Sequence, residues 1–221
     1  MFKLIEDLLS EAEVAELNRI ADDSQFVDGR VSNPHNKAKQ NLQLHDGKVI
    51  ETTARMIIEA LMRSEEFRNF AFPRVIAPPI ITAYRPGMKY GLHPDAAFMQ
   101  LGNSLMRSDI SCTVFLSDPD SYDGGELQIS LGEQDVKIKL SAGSVVLYPS
   151  TTLHQVLEVT RGERRVGLSF IESRIVDPEN RELLYELNEV AALEGLKMDW
   201  DNYVRLQRVQ MALLRRWAIG S

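Results

Sequence analysis

His93 and Asp95 stand two residues apart in the stretch "YRPGMKYGLHPDAAF", residues 84–98. On an extended strand, residues i and i+2 project to one side. The pair would then present an imidazole and a carboxylate together, two groups that ligate divalent metals. Pro94 between them fixes its own φ, disfavours helix at His93 and removes one ladder donor. That puts the pair on an edge strand or a strand end. A lone His-x-Asp pair is a weak signal, so the assignment turns on a third ligand and an anion anchor.

The chain has four histidines. His35 and His45 fall in a polar loop and are expected to be solvated. His154 follows the apolar run "GSVVLYP" and a Pro-Ser-Thr-Thr turn, and it opens the next strand. Two histidines and one carboxylate with positions left open suit non-haem Fe(II), whereas zinc prefers a closed tetrahedral set or three ligands and a water.

His93-Pro94-Asp95 also matches the tripeptide of a J-domain co-chaperone. That reading needs a helix running into His93. Pro86 and Gly87 stand just upstream, and in a helix interior they cost ~3 and ~1 kcal/mol relative to alanine. The flank "VIAPPIITAY" is β-branched, with two further prolines. The residues favour the metal pair.

Ten residues beyond His154 comes "RRVGLSFIES". Arg164 shares its strand parity with Val166, Leu168 and Phe170, and Arg165 with Gly167, Ser169 and Ile171. Arg164 is therefore expected to point into the apolar interior and Arg165 outward. A buried guanidinium needs an anionic partner, and its fork suits a carboxylate. Parity leaves open whether that carboxylate belongs to a ligand or to the core.

These residues must be carried by a strand-rich middle. "SEAEVAELNRIADDS" predicts a helix capped by Ser10 and Glu13. Residues 48–72 predict a second helix. From Val75, short β-branched runs punctuated by Gly, Pro, Asp and Ser predict seven or so strands in a sandwich or barrel-like double sheet. After Asp177-Pro178 the helical period returns as two helices, with Gly195 between them and Asp199 as the second cap. The fold class is α+β. The loop "DPDSYDGGE" has the wrong register for a calcium site and reads as a turn, with Gly124 and Gly125 supplying unusual φ.

Composition removes other functions. The chain has 221 residues, a net charge of −7 and 44% hydrophobic residues. It lacks the basic stripe of a nucleic-acid binder. One cysteine, Cys112, excludes an internal disulfide and thiolate zinc sites. No apolar run reaches membrane-spanning length, and the amino terminus lacks a signal-peptide core. A soluble, cytoplasmic protein is expected.

The stretches "RPGMKYGLHPDAA", "RSDISCTVFLSDPDSYDGGEL", "VKIKLSAGSVVLYPSTTLHQVLEVTRGERRV" and "DPENRELLYELN" closely resemble the bacterial PKHD-type hydroxylases. These are prolyl 4-hydroxylase-like members of the Fe(II)/2-oxoglutarate dioxygenases. The resemblance implies a double-stranded β-helix (jelly roll) core with N-terminal helices, spanning 1–176, and a C-terminal helical extension over 177–221. It implies His93, Asp95 and His154 as iron ligands. Arg164 would then hold the distal carboxylate of 2-oxoglutarate, with Tyr84 as its helper. It further implies O2 as co-reactant, succinate and CO2 as co-products, and ascorbate as an activator.

This sequence departs from the family's pattern at Pro94, in the absence of a basic residue in "AAFMQLGNSLM", and at Asn41-Leu42. The departures bear on the substrate, a small molecule or a peptidyl group. Residues 28–45 and 96–108 are expected to form its mobile walls. The rival reading is a non-catalytic jelly-roll module sensing iron or 2-oxoglutarate. Homo-oligomerisation stays open.

Overall fold

The capping box at Ser10 forms as the sequence predicts and opens α1 (Glu11–Asp22) behind the short strand β1 (Lys3–Ile5). The computed structural model describes residues 1–32 and 38–219; His35 lies outside the described residues. The polar stretch after α1 carries short strands β2 (Phe26–Asp28), β3 (Lys39–Gln40) and β4 (Leu42–Leu44).

The single helix expected over residues 48–72 is two: α2 (Gly47–Arg63) and α3 (Glu65–Ala71). Ser64 divides them. Its extended backbone ends α2, and its side chain accepts from Phe67 N–H to cap α3. A serine competes for backbone donors in this way, so a helical apolar period can run straight through a break.

The middle of the chain is strand: β5 (Pro73–Ile76), β6 (Ile80–Tyr84), β7 (Lys89–His93), β8 (Phe98–Leu101), β9 (Ser104–Arg107), β10 (Ile110–Phe115), β11 (Asp123–Gly124), β12 (Leu127–Leu131), β13 (Gln134–Ile138), β14 (Val145–Pro149), β15 (His154–Val156), β16 (Val159–Arg161) and β17 (Arg164–Ser173). Helices α4 (Pro178–Glu194) and α5 (Trp200–Trp217) close it, capped by Asp177 and Asp199. No helix runs into His93, since β6 and β7 precede it, and the co-chaperone reading falls with that.

The strands form a jelly roll of two facing sheets. The larger has the order β1-β14-β10-β17-β6-β4-β2, with β5 also on β17; the smaller has β13-β12-β15-β7-β3. Residues 98–107, expected as a mobile wall, pair as an antiparallel β8–β9 hairpin.

Alternation sorts the larger sheet into two faces. Ile110, Cys112, Val114, Val145, Leu147 and Ile81 face the helices and pack with Leu17, Ile57 and Leu61. A side chain at Gly167 would stand 2.7 Å from Ile57 Cδ1, so its glycine lets α2 lie close on β17. Cys112 is wholly buried in this layer, and burial pushes its thiol up to about 12. The opposite face turns Phe115, Val146, Tyr148 and Val166 against Leu127 and Ile129 of the smaller sheet. The site lies at one end of this inter-sheet layer. No helix among the described residues is long and apolar enough to cross a membrane.

Candidate active site

β7 and β15 run antiparallel, with His93 directly opposite His154. Each ring is held by its own segment of backbone. His93 Nδ1 donates to the Gly91 carbonyl at 2.7 Å, and His154 Nδ1 donates to the Thr152 carbonyl at 3.0 Å. A carbonyl only accepts, so each Nδ1 carries the proton and each Nε2 keeps a lone pair. Tyr90 stacks on His93 with centroids 3.7 Å apart, and Tyr148 meets His154 edge-on at 5.0 Å. Burial, with help from His154, holds the His93 imidazole below its ordinary value and so neutral, the form that ligates metal.

Asp95 lies beyond the end of β7, where Pro94 has stopped the ladder. Its backbone N–H donates instead to the Ser150 carbonyl at 3.1 Å, in the turn that leads to His154. This places Asp95 Oδ1 3.8 Å from His93 Nε2 and Oδ2 3.6 Å from His154 Nε2. Two bonds of about 2.0–2.2 Å to one ion span such distances. The three side chains offer one ligand atom each within 4.8 Å of one another. The donor set, two neutral imidazoles and a carboxylate with the rest of the coordination sphere open, fits iron(II).

Arg164 faces the same interior. It is 1% exposed, and Arg165 across the strand bonds outward to Asp22, Glu163 and Asn18. Among the described residues Arg164 makes no ion pair, and its Nε has no hydrogen-bond partner. Its guanidinium lies 5.2 Å from the Tyr84 ring and 5.7 Å from Phe115. Burying a guanidinium without an anionic partner costs several kcal/mol, and among the described residues no carboxylate offsets that cost at Arg164.

Tyr84 stands opposite Arg164 in the β6–β17 ladder, and its hydroxyl accepts from Asn41 Nδ2 at 3.1 Å. Burial, offset in part by the Arg164 charge, holds the Tyr84 phenol above its ordinary value, so it stays a neutral donor. The Tyr84 and Tyr148 phenols both feel the charges of Arg164 and Asp95. The buried Tyr122 hydroxyl adjoins the Arg164 guanidinium, and among the described residues the buried Thr82 hydroxyl has no hydrogen-bond partner. A cavity of about 220 Å³ adjoins His93 and Asp95, with Lys39, Gln43 and Thr82 on its polar side and Ile80, Leu168 and Phe170 on its apolar side.

All five residues singled out from the sequence therefore converge on one layer. Asn41 stands out from the sequence only as a departure bearing on the substrate, and Tyr122, Tyr148 and Ser111 escape the sequence reading. Tyr122 lies in the "SDPDSYDGGEL" stretch that carries the family resemblance, so motif context could have found it. Ser111 and Tyr148 sit within apolar runs and gave no signal of their own.

The chain is similar to known proteins over most of its length. The profile of the 2OG-Fe(II) oxygenase superfamily matches residues 79–172. A PKHD-type hydroxylase of Sphingopyxis alaskensis is 52% identical over 217 residues, covering 98% of this chain and 99% of that protein. Among solved structures, a prolyl hydroxylase of Trichoplax adhaerens in complex with a hypoxia-inducible-factor peptide fragment aligns at TM-score 0.58 and 15% identity, covering 82% of this chain and 86% of its own. HygX of Streptomyces hygroscopicus, with nickel, 2-oxoglutarate and hygromycin B bound, aligns at TM-score 0.54 and 14% identity, covering 77% and 82%.

Proposed function

The chain belongs to the PKHD-type hydroxylases, which are Fe(II)- and 2-oxoglutarate-dependent dioxygenases, and from that premise we propose that it hydroxylates a small-molecule or peptidyl substrate with release of succinate and CO2. Family membership decides for an enzyme over a sensing module. In this reading His93 Nε2, the Asp95 carboxylate and His154 Nε2 hold the iron. Arg164, with the Tyr84 hydroxyl, holds the distal carboxylate of 2-oxoglutarate. The observation that supports the reading is the convergence of His93, Asp95 and His154, together with a buried Arg164 that makes no ion pair among the described residues.

Held by His93, Asp95, His154 and Arg164, iron and 2-oxoglutarate would supply the oxygen activation, with one oxygen atom going to succinate and the other to the substrate as CO2 is released. The chain supplies orientation. The fixed tautomers of His93 and His154 aim both lone pairs at one point. Arg164 and Tyr84 set the far end of the cosubstrate, so its other end meets the metal ligands in one pose. Tyr90, Tyr148 and Phe115 wall the site against water, which strengthens each charge interaction within it.

Both substrate classes have precedent among the similar structures, one solved with a peptide fragment and one with hygromycin B. The reading takes residues 1–176 as the catalytic unit and 177–221 as a helical extension. It includes ascorbate as an activator, carried by the family resemblance, and a cytoplasmic location, carried by the lone cysteine. The test is succinate formation from Fe(II), 2-oxoglutarate and O2 against peptide and small-molecule pools. Succinate release stimulated by one pool is expected. Absence of succinate from metal-loaded protein under all pools would overturn the proposal.

A further inference from the structure

Three serines from separate parts of the chain meet behind Asp95. Ser108 follows β9, Ser111 lies on β10, and Ser150 stands in the turn between β14 and β15. All three are buried, Ser111 completely. Ser111 Oγ donates to Asp95 Oδ2, Ser150 Oγ and Ser111 Oγ are 2.9 Å apart, and Ser108 Oγ donates to Ser150 Oγ at 2.9 Å.

The direction of this chain follows from what its end can do. An ionised carboxylate only accepts. Ser111 has one hydroxyl proton, and Asp95 takes it. Ser150 must then donate to Ser111, and Ser108 to Ser150. The three hydroxyl dipoles run head to tail toward the carboxylate, and such chains polarise one another in a buried setting. The frame around them is tied by backbone bonds: Asp95 N–H to the Ser150 carbonyl at 3.1 Å, Ser150 N–H to the Asp109 carbonyl at 3.1 Å, and Ser108 N–H to the Ala97 carbonyl at 2.9 Å.

We propose that the relay Ser108→Ser150→Ser111 is the positioning device of the metal site, fixing the rotamer of the Asp95 carboxylate that faces the two histidines. The inference rests on the reading of His93, Asp95 and His154 as the metal set. The two histidines are oriented by carbonyls of their own strands. Asp95 lies outside the strand, where no ladder fixes its side chain, and the hydroxyl relay takes that part. Outer partners of a ligating group commonly carry 10- to 100-fold in metal affinity, about that order here.

The test is equilibrium binding of Mn(II) alone to the full chain, followed by the paramagnetic signal of the free ion, beside the thermal midpoint of the metal-free protein. Ser111→Ala should weaken Mn(II) binding by about 10- to 100-fold. Ser150→Ala should weaken it less, and Ser108→Ala least, because each lies one hydroxyl further from the carboxylate. A purely structural role predicts a lower metal-free midpoint with unchanged Mn(II) affinity, and that result would overturn the proposal. Should Ser111→Ala fail to fold, the Ser150→Ala variant decides, and wild-type affinity there sinks the relay. Wild-type protein that binds no Mn(II) would instead sink the metal-site reading, and the relay with it.

Discussion

His93 and His154 are cross-strand partners on β7 and β15, with ring centroids 4.4 Å apart and planes tilted by 49°. Directly opposed side chains on an antiparallel pair are held within a few ångströms by the ladder itself. Two candidate metal ligands far apart in sequence are thus brought together by one register. The ladder shifts between His154 and Val156, so the close approach is local to the histidines.

Removing one of that pair should therefore empty the site. His93→Ala is expected to abolish Fe(II) binding and succinate formation while leaving the circular dichroism spectrum unchanged, since His93 stands at the sheet's end. Anaerobic Fe(II) titration checks it; wild-type uptake by the folded variant would argue that the metal lies elsewhere.

The two arginines that open β17 should behave oppositely. Breaking a desolvated charge pair costs about 2–5 kcal/mol, so Arg164→Ala should raise the KM for 2-oxoglutarate about 30-fold or more at 1.4 kcal/mol per tenfold. Iron affinity should be spared. Arg165→Ala removes outward bonds to Asp22, Glu163 and Asn18 and should lower only thermal stability. Steady-state kinetics on both variants would expose a reversed assignment.

Much of this site can be read in the chain, and what escapes does so for a physical reason. His93, Asp95 and Arg164 stand out because a charged or polar group at a fixed parity in a strand needs an explanation. Ser111 does not. It lies in "ISCTVFL", where a hydroxyl among apolar residues carries no side preference until the register with Tyr148 and Phe170 turns it inward. The break at Ser64 was hidden for a related reason: an apolar helical period continues across a capping serine unchanged. The β8–β9 hairpin has too few β-branched residues to announce its strands.

Gly125 should be intolerant of a side chain. Its φ is +66, and an added Cβ would stand 2.8 Å from Val159 Cγ2 and 3.0 Å from Arg164 Cδ. Gly125→Ala is expected to cost about 1–3 kcal/mol in strain and crowding. It should also raise the KM for 2-oxoglutarate by displacing Arg164. Denaturant melts and kinetics test the two effects separately; a stable variant with normal KM would show that Gly125 does not shape the anion pocket.

Acid should destabilise the metal-free protein through His93. Burial lowers its folded-state value below the ordinary 6.5. The unfolded chain therefore takes up this proton first as the pH falls. The contribution is complete above about pH 6.5 and is lost as the pH drops from there toward the depressed folded value. Urea midpoints measured across that window should fall for the wild type and change less for His93→Gln. Parallel curves for the two proteins would remove His93 as the cause.

In the proposed reading His93, Asp95 and His154 hold the metal while Arg164 holds the cosubstrate. An anaerobic crystal structure with Mn(II) and 2-oxoglutarate would show both at once. Mn(II) is expected on Nε2 of both histidines and on the Asp95 carboxylate, with the distal carboxylate of 2-oxoglutarate on Arg164 and the Tyr84 hydroxyl. Metal coordinated by other side chains, or the distal carboxylate bound away from Arg164, would contradict that reading.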